Sequence, residues 1–242
     1  MNVTKKLLTT LSLTTALAFT SNVMAGSHGK KADGKPVGIT PEMSDITVKH
    51  NGKDVKITRD QDNGAMVDPA FGKTSRPCPP FCIQPMSLGE GIETIGEVEV
   101  IDYAKKLSGG DSDIVLVDSR TPDWVAKGTI PSAVNVSWVE LTPKKGATTE
   151  GIMKVMADKF GVTVAKGKDD VDVDEAIAAG DTSKVFDFSK AKTLVMFCNG
   201  MWCGQSPASI AALRKFGYPA EKIKYFRGGM QTWKILGLTT VK

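Results

Sequence analysis

Thr193-Leu-Val-Met-Phe-Cys198-Asn-Gly-Met-Trp-Cys203-Gly-Gln-Ser206-Pro-Ala-Ser209 is the stretch that decides the fold. Leu194 to Phe197 is a short apolar run, the length and make-up of a strand buried on both faces. It ends on Cys198. Residues 199–205 follow, two of them glycine, and then a helix signal begins. Ser206 is placed as an N-cap with Pro207 at the first helical position. Ile210, Leu213 and Phe216 supply an apolar stripe, and Gly217 is placed to end the helix. The order is strand, thiol, glycine-bearing loop, helix N-terminus. A helix start offers unpaired N–H groups and a partial positive charge. Loop glycines let further N–H groups turn inward as an anion nest. Such a field lowers a thiol pKa, and the thiolate is the reactive form. A cysteine at a strand end can also be a small buried hydrophobe. The loop and helix start around Cys198 favour the reactive reading.

Working outward, the 242 residues hold one domain of ordinary size plus extensions. Lys and Arg number 31 against 27 Asp and Glu, a formal charge of +4. That is too mild to imply nucleic acid. Residues 1–25 read as a signal peptide: Lys5 and Lys6, a short apolar core over Leu7–Thr20, and Val23-Met24-Ala25 before the expected cleavage at Gly26. The core is short for a membrane span, and no later segment is long and apolar enough for one. The expectation is a periplasmic or secreted protein with no stable membrane span after cleavage.

Residues 26–92 form an N-terminal extension. Its start is rich in Gly, Lys and Ser, a flexible lead-in. Ile46–His50 and Val55–Thr58 alternate apolar and polar, and Asn51-Gly52 between them predicts a β-hairpin that must pack on the main domain. Then comes Ser75-Arg-Pro-Cys78-Pro-Pro-Phe-Cys82-Ile-Gln-Pro85, whose prolines exclude helix and sheet interior. This segment must run over the surface or dock in a groove. Extended, Cys78 and Cys82 would lie roughly 12 Å apart at Cα, so a bridge between them needs a tight turn, for instance at Pro79-Pro80. The four cysteines Cys78, Cys82, Cys198 and Cys203 allow three connectivities, which sequence leaves open. A local staple, a cross-link to the 198–203 loop and a redox-active pair all fit. No metal site or cofactor is expected.

Residues 93–242 alternate strands and helices. Thr94 with Glu97 has capping-box spacing for a helix that ends at Gly109-Gly110. Ile114–Val117 is a buried strand ending on Asp118, and Asp123–Lys127 is a short helix closed by Gly128. Ile130–Val136 leads into another short strand. Beyond Leu141 lies an excursion with helices over Ile152–Phe160 and Asp174–Ala179, and a charged loop over Lys166–Asp172. After the Ser206 helix come a strand at Ile223–Phe226, a loop at Arg227-Gly228-Gly229, and a terminal helix over Met230–Leu236. This alternation predicts an α/β/α sandwich with a mainly parallel sheet. Ligands of such sheets bind at the strands' carboxyl ends, where Cys198, Asp118 and Gly228 fall.

Several spaced motifs in this region resemble the rhodanese (thiosulfate sulfurtransferase-like) family. They are Leu116-Val-Asp118-Ser-Arg120-Thr-Pro-Asp123-Trp124, Gly128-Thr-Ile130-Pro-Ser-Ala133-Val-Asn135, the Cys198 unit, Gly217-Tyr218 and Tyr225-Phe-Arg227-Gly228-Gly229-Met-Gln-Thr-Trp233. The Cys-Pro-Pro-Phe-Cys segment ahead of them looks like that of an exported, periplasmic subgroup. The resemblance implies a rhodanese-like three-layer sandwich preceded by a small hairpin extension. It also implies sulfur transfer, in which Cys198 attacks a sulfane-sulfur donor such as thiosulfate and holds the sulfur as a persulfide. The persulfide then passes its sulfur to an acceptor, for instance a periplasmic thiol or redox protein. Asn199, Gly200, Met201, Trp202, Cys203, Gly204 and Gln205 would form the anion cradle. Asp118 would hold the loop, Arg120 would pair with Asp123, and Ser206, Arg227 and Gly228 would support the site. Arg227 has two readings, an attractor of anions or a solvated side chain.

The loop departs from the family's common form. Counted to the residue before a Ser206 cap, Cys198–Gln205 is eight residues where the family commonly has six. Gln205 stands where a cation is common, which removes one charge-assisted contact worth about 1.5–3 kcal/mol. Thr129 stands where histidine is frequent, a change read as structural. Met201 and Trp202 either pack inward or offer apolar rim surface. Cys203 is a second thiol that can close a disulfide with Cys198. Three functions therefore compete: a Cys198 sulfurtransferase, a thiol-disulfide or sulfur-relay protein using Cys198 and Cys203, and an inert module that binds a periplasmic partner.

Overall fold

The two longest apolar strands, Ile114–Asp118 and Thr193–Phe197, divide their side chains strictly between two cores. Val115, Val117, Leu194 and Met196 enter one cluster, while Ile114, Leu116, Val195 and Phe197 enter the other. A strand places successive side chains on opposite faces, so an unbroken apolar run requires helices on both. The computed structural model describes residues 34–242. The leader expected over residues 1–25 and its cleavage position lie outside the described residues.

In chain order the elements are β1 (Asp45–His50), β2 (Lys53–Thr58), α1 (Pro69–Gly72), β3 (Glu93–Ile95), α2 (Glu97–Ser108), β4 (Ile114–Asp118), α3 (Pro122–Val125) and β5 (Val134–Asn135). Then follow α4 (Trp138–Leu141), α5 (Thr149–Phe160), β6 (Thr163–Val164), α6 (Asp170–Ala179), β7 (Phe186–Asp187), β8 (Thr193–Phe197), α7 (Gln205–Lys215), β9 (Ile223–Phe226) and α8 (Gly229–Ile235). The main sheet has five strands in the order β3-β9-β8-β4-β5, and every pairing in it is parallel. β8 lies at its centre, so Cys198 emerges at the carboxyl edge between Asp118 of β4 and Phe226 of β9. α2 and α8 cover one face through Val100, Ile101, Met230 and Trp233. α5 and α7 cover the other through Ile152, Met156, Ile210 and Leu213. This is the three-layer α/β/α architecture expected.

β1 and β2 pair antiparallel with His50 opposite Lys53. Asn51 and Gly52 both take positive φ, 49° and 76°, the left-handed pair that a two-residue hairpin turn requires. The hairpin buries Val48 and Ile57 in the α2/α8 core, and Thr58 and Thr239 tie it to the chain's end. Two expectations are corrected. Thr94 does not cap α2: it is extended in β3, opposite Tyr225. The cap is Gly96, whose N–H donates to Glu99 Oε2 at 3.0 Å, so the box sits two residues later. The 166–172 segment is not all loop, because the Asp169 carboxylate accepts from the N–H groups of Val171 and Asp172 and starts α6 there.

Candidate active site: a two-thiol loop beneath a stapled strap

The loop after β8 is closed by its own backbone. The Cys203 N–H donates to the Gly200 carbonyl at 2.8 Å. Gly204 then serves as N-cap of α7, and Ser206 lies in the first turn rather than at the cap. This corrects the expected boundary. With the cap at Gly204, Pro207 is the third helical residue rather than the first, and the loop from Cys198 to Cys203 has the common six residues, not eight. The reason is chemical. The Ser206 hydroxyl donates to Cys198 Sγ at 3.1 Å instead of capping the helix.

The first turn of α8 holds the loop from the other side. Met230 N–H donates to the Cys198 carbonyl and Gln231 N–H to the Asn199 carbonyl, both at 3.0 Å. Gly229 makes this approach possible. It has φ of 54°, and a Cβ there would fall 2.3 Å from the Cys198 carbonyl oxygen. Gly228 caps α8. Gln231 also accepts from Trp202 Nε1 at 2.8 Å and donates to the Phe71 carbonyl at 3.1 Å.

Cys198 is only 2% exposed and Cys203 5%, and both are free thiols. Burial pushes the Cys198 thiol up. Hydrogen bonds from Cys203, from the Ser206 hydroxyl and from the N–H groups of Ser206 and Gly200 outweigh burial and bring it down to about 7. Every one of those donors is uncharged. Cys203 moves the opposite way: its hydrogen bond to Cys198 and its burial hold its proton on well above the usual thiol range. The N–H groups of Gln205 and Asn199 face Cys203. The expected cradle is therefore divided. Gly200 and Ser206 serve Cys198, Asn199 and Gln205 serve Cys203, and the Cys203 N–H is spent on the loop turn.

Asp118 and Arg120 do not touch the sulfur. They form a fully buried ion pair, Nη2 to Oδ2 2.6 Å and Nε to Oδ1 2.9 Å. This corrects the expected Arg120–Asp123 pair: Arg120 turns inward, while Asp123 is exposed and accepts from the Thr121 hydroxyl. Asp118 also accepts from the Thr129 hydroxyl at 2.6 Å, and Arg120 reaches the Gly128 carbonyl at 2.7 Å. The pair anchors the turn after β4, whose Ser119 N–H donates to the Phe197 carbonyl beside the thiol. Thr129 thus has the structural role expected of it.

The proline-rich segment lies across the loop. Cys78 and Cys82 are joined by a disulfide with Cα atoms 4.6 Å apart, in a turn closed by Phe81 N–H to the Pro77 carbonyl. Gln84 N–H donates to the Met201 carbonyl at 2.8 Å. Arg227, expected to attract anions or face solvent, is half-buried, and its Nε donates to the Gln84 carbonyl at 2.9 Å. Trp202 is packed between the Arg76 guanidinium, 3.7 Å from its ring centre, and the Phe81 ring, met edge-on at 5.7 Å. The rim aromatic therefore packs against this strap. Gln84, Arg76, Phe81 and Gln231 escaped the sequence reading. Gln231 had a signal, its place in the Gly228-Gly229-Met-Gln motif; the other three meet the loop only through long-range packing.

The family model described as the rhodanese-like domain matches residues 100–236. Solved structures similar to this chain include a protein from Bacillus halodurans, 16% identical, covering 58% of this chain and 70% of that one at a TM-score of 0.35. A protein of unknown function from Rhodopseudomonas palustris, described as a possible tyrosine phosphatase, is 16% identical, covering 64% and 88% at 0.36. A human single-domain sulfurtransferase is 18% identical, covering 58% and 93% at 0.31. No curated protein matches the chain in sequence.

Proposed function

The chain belongs to the rhodanese-like domain family, and from that premise we propose that it is a sulfurtransferase whose Cys198 carries sulfane sulfur as a persulfide. The observation that carries the reading is the buried Cys198 sulfur, which accepts from the Ser206 hydroxyl at 3.1 Å and faces the Gly200 and Ser206 N–H groups, a set of uncharged donors that brings its pKa down to about 7. The thiolate attacks the outer sulfur of a donor such as thiosulfate. The donor's S–S bond breaks and sulfite leaves with the bonding pair. The Gly200 N–H in the loop and the Ser206 N–H in the first turn of α7 then face the persulfide and offset its charge. A nucleophilic acceptor, for instance a thiol of a small molecule or protein, takes the outer sulfur and restores the thiolate. Cys198 is 2% exposed, and the proline-rich segment is tied to its loop through the Gln84 N–H and the Met201 carbonyl, so donor entry requires the loop or that segment to open.

Export to an oxidising compartment belongs to the same proposal. Its support is the leader-like sequence of residues 1–25 and the Cys78–Cys82 disulfide. Among the described residues no helix is long and apolar enough to cross a membrane. The test is thiocyanate formation from thiosulfate and cyanide. Wild type is expected to turn over and Cys198→Ser to be inactive while folded; full activity in Cys198→Ser would refute the assignment.

A further inference from the structure

The loop carries two sulfurs, and each has its own set of backbone donors. Gly200 and Ser206 N–H groups face Cys198, and Asn199 and Gln205 N–H groups face Cys203. The Cys203 N–H to Gly200 bond folds the loop back, so that Cys198 Sγ lies 3.3 Å from the Cys203 carbonyl oxygen. Holding a persulfide on Cys198 needs one thiol and one set of donors. A second thiol beside it, buried and facing backbone N–H groups, is not explained by packing alone.

We infer that Cys203 attacks the Cys198 persulfide, so that the site reduces sulfane sulfur to sulfide and closes a Cys198–Cys203 disulfide that an external dithiol must reopen. The inference rests on the persulfide reading above. A bond forms between Cys203 Sγ and Cys198 Sγ. The bond from Cys198 Sγ to the sulfane sulfur breaks, and its electron pair leaves with the sulfane sulfur. The proton of Cys203 goes to that sulfur, which departs as hydrosulfide. The two cysteine thiols are oxidised together by two electrons, and the sulfane sulfur takes both. Over a full cycle thiosulfate and a dithiol give sulfite, sulfide and the oxidised dithiol. In the persulfide the negative charge sits on the outer sulfur, so the Cys203 proton passes to that sulfur as Cys203 attacks, which makes Cys203 the thiolate nucleophile and lets the sulfide leave as hydrosulfide. The side chains of Cys198 and Cys203 are hydrogen-bonded to each other, the proximity from which a disulfide closes. Reset is ordinary thiol-disulfide exchange by the incoming dithiol.

The experiment uses the full chain, reduced, freed of reductant and kept without oxygen, then given thiosulfate. The expected result is one equivalent of sulfite and one of sulfide per chain, with a peptide map showing Cys198 joined to Cys203 and distinguishing that bond from Cys78–Cys82. Cys203→Ser is expected to release sulfite more slowly and stop there, with the Cys198 peptide heavier by one sulfur mass and no sulfide. Cys203→Ala serves if the serine variant fails to fold. Dithiothreitol is expected to convert the single sulfide burst of wild type into turnover. Sulfite with a lasting persulfide and no sulfide from wild type would overturn the inference and leave the persulfide reading standing. Sulfide from the Cys203 variants, or a disulfide from Cys198 to Cys78 or Cys82, would also overturn it. No sulfite from wild type would sink both.

Discussion

Replacing Ser206 by alanine removes one hydrogen bond and nothing else within reach of the sulfur. The Ser206 hydroxyl donates to Cys198 Sγ at 3.1 Å, and its side chain is fully buried. A hydrogen bond to a charged group is worth about 1.5–3 kcal/mol. One pKa unit corresponds to about 1.4 kcal/mol of preference between protonation states. Ser206→Ala should therefore raise the Cys198 pKa by about one to two units from its value of about 7. The backbone N–H of residue 206 still serves the sulfur, so the rise stops short of full reversal. The assay is the rate of Cys198 alkylation by iodoacetamide against pH, read by mass spectrometry of the Cys198 peptide. For a one-unit shift the thiolate fraction well below pH 7 falls about tenfold. A more basic thiolate is about threefold more nucleophilic for that shift. The net expectation is a loss of about threefold at low pH, a crossover, and a faster variant on the alkaline plateau. An inflection that stays where wild type has it would refute the claim that uncharged donors tune this thiol.

Two other perturbations probe the support around the loop. Asp118→Asn leaves the Arg120 guanidinium buried without its countercharge, and stability to denaturant should fall by about 3–5 kcal/mol; a loss under about 1 kcal/mol would mean that the pair does not anchor the turn. Phe81→Ala removes the edge-on contact with Trp202, worth about 0.5–1.5 kcal/mol. If the strap controls access, alkylation of Cys198 by a bulky maleimide should quicken about two- to tenfold, and an unchanged rate would show that reagents reach the sulfur by another route.

The layers and the place of Cys198 at the end of the central strand were legible because they follow from local patterns. Ile114–Val117 and Leu194–Phe197 are apolar at every position, which only a strand covered on both faces tolerates. Asn51-Gly52 stated its hairpin through backbone freedom alone. The loop length was misread because Ser206-Pro207 has the letters of a cap, while the real cap is a glycine with no side chain to announce it. The serine's oxygen went to the sulfur, a choice set by a residue eight positions back. Arg120 had carboxylates at both Asp118 and Asp123 within reach in sequence; burial after β4 decided for Asp118. The strap's position depends on Gln84 meeting Met201 and Arg227, and on Phe81 and Arg76 meeting Trp202. These contacts are far apart in sequence and leave no local signature.

The central claim is that Cys198 takes up sulfane sulfur. Its most direct measurement is the mass of the Cys203→Ser variant after brief exposure to thiosulfate, in which the persulfide has no neighbouring thiol to attack it. The account predicts one added sulfur, mapped to the peptide holding Cys198 and removed by cyanide as thiocyanate. An unmodified Cys198 under conditions where sulfite is released, or an added sulfur mapped to Cys78 or Cys82, would contradict it.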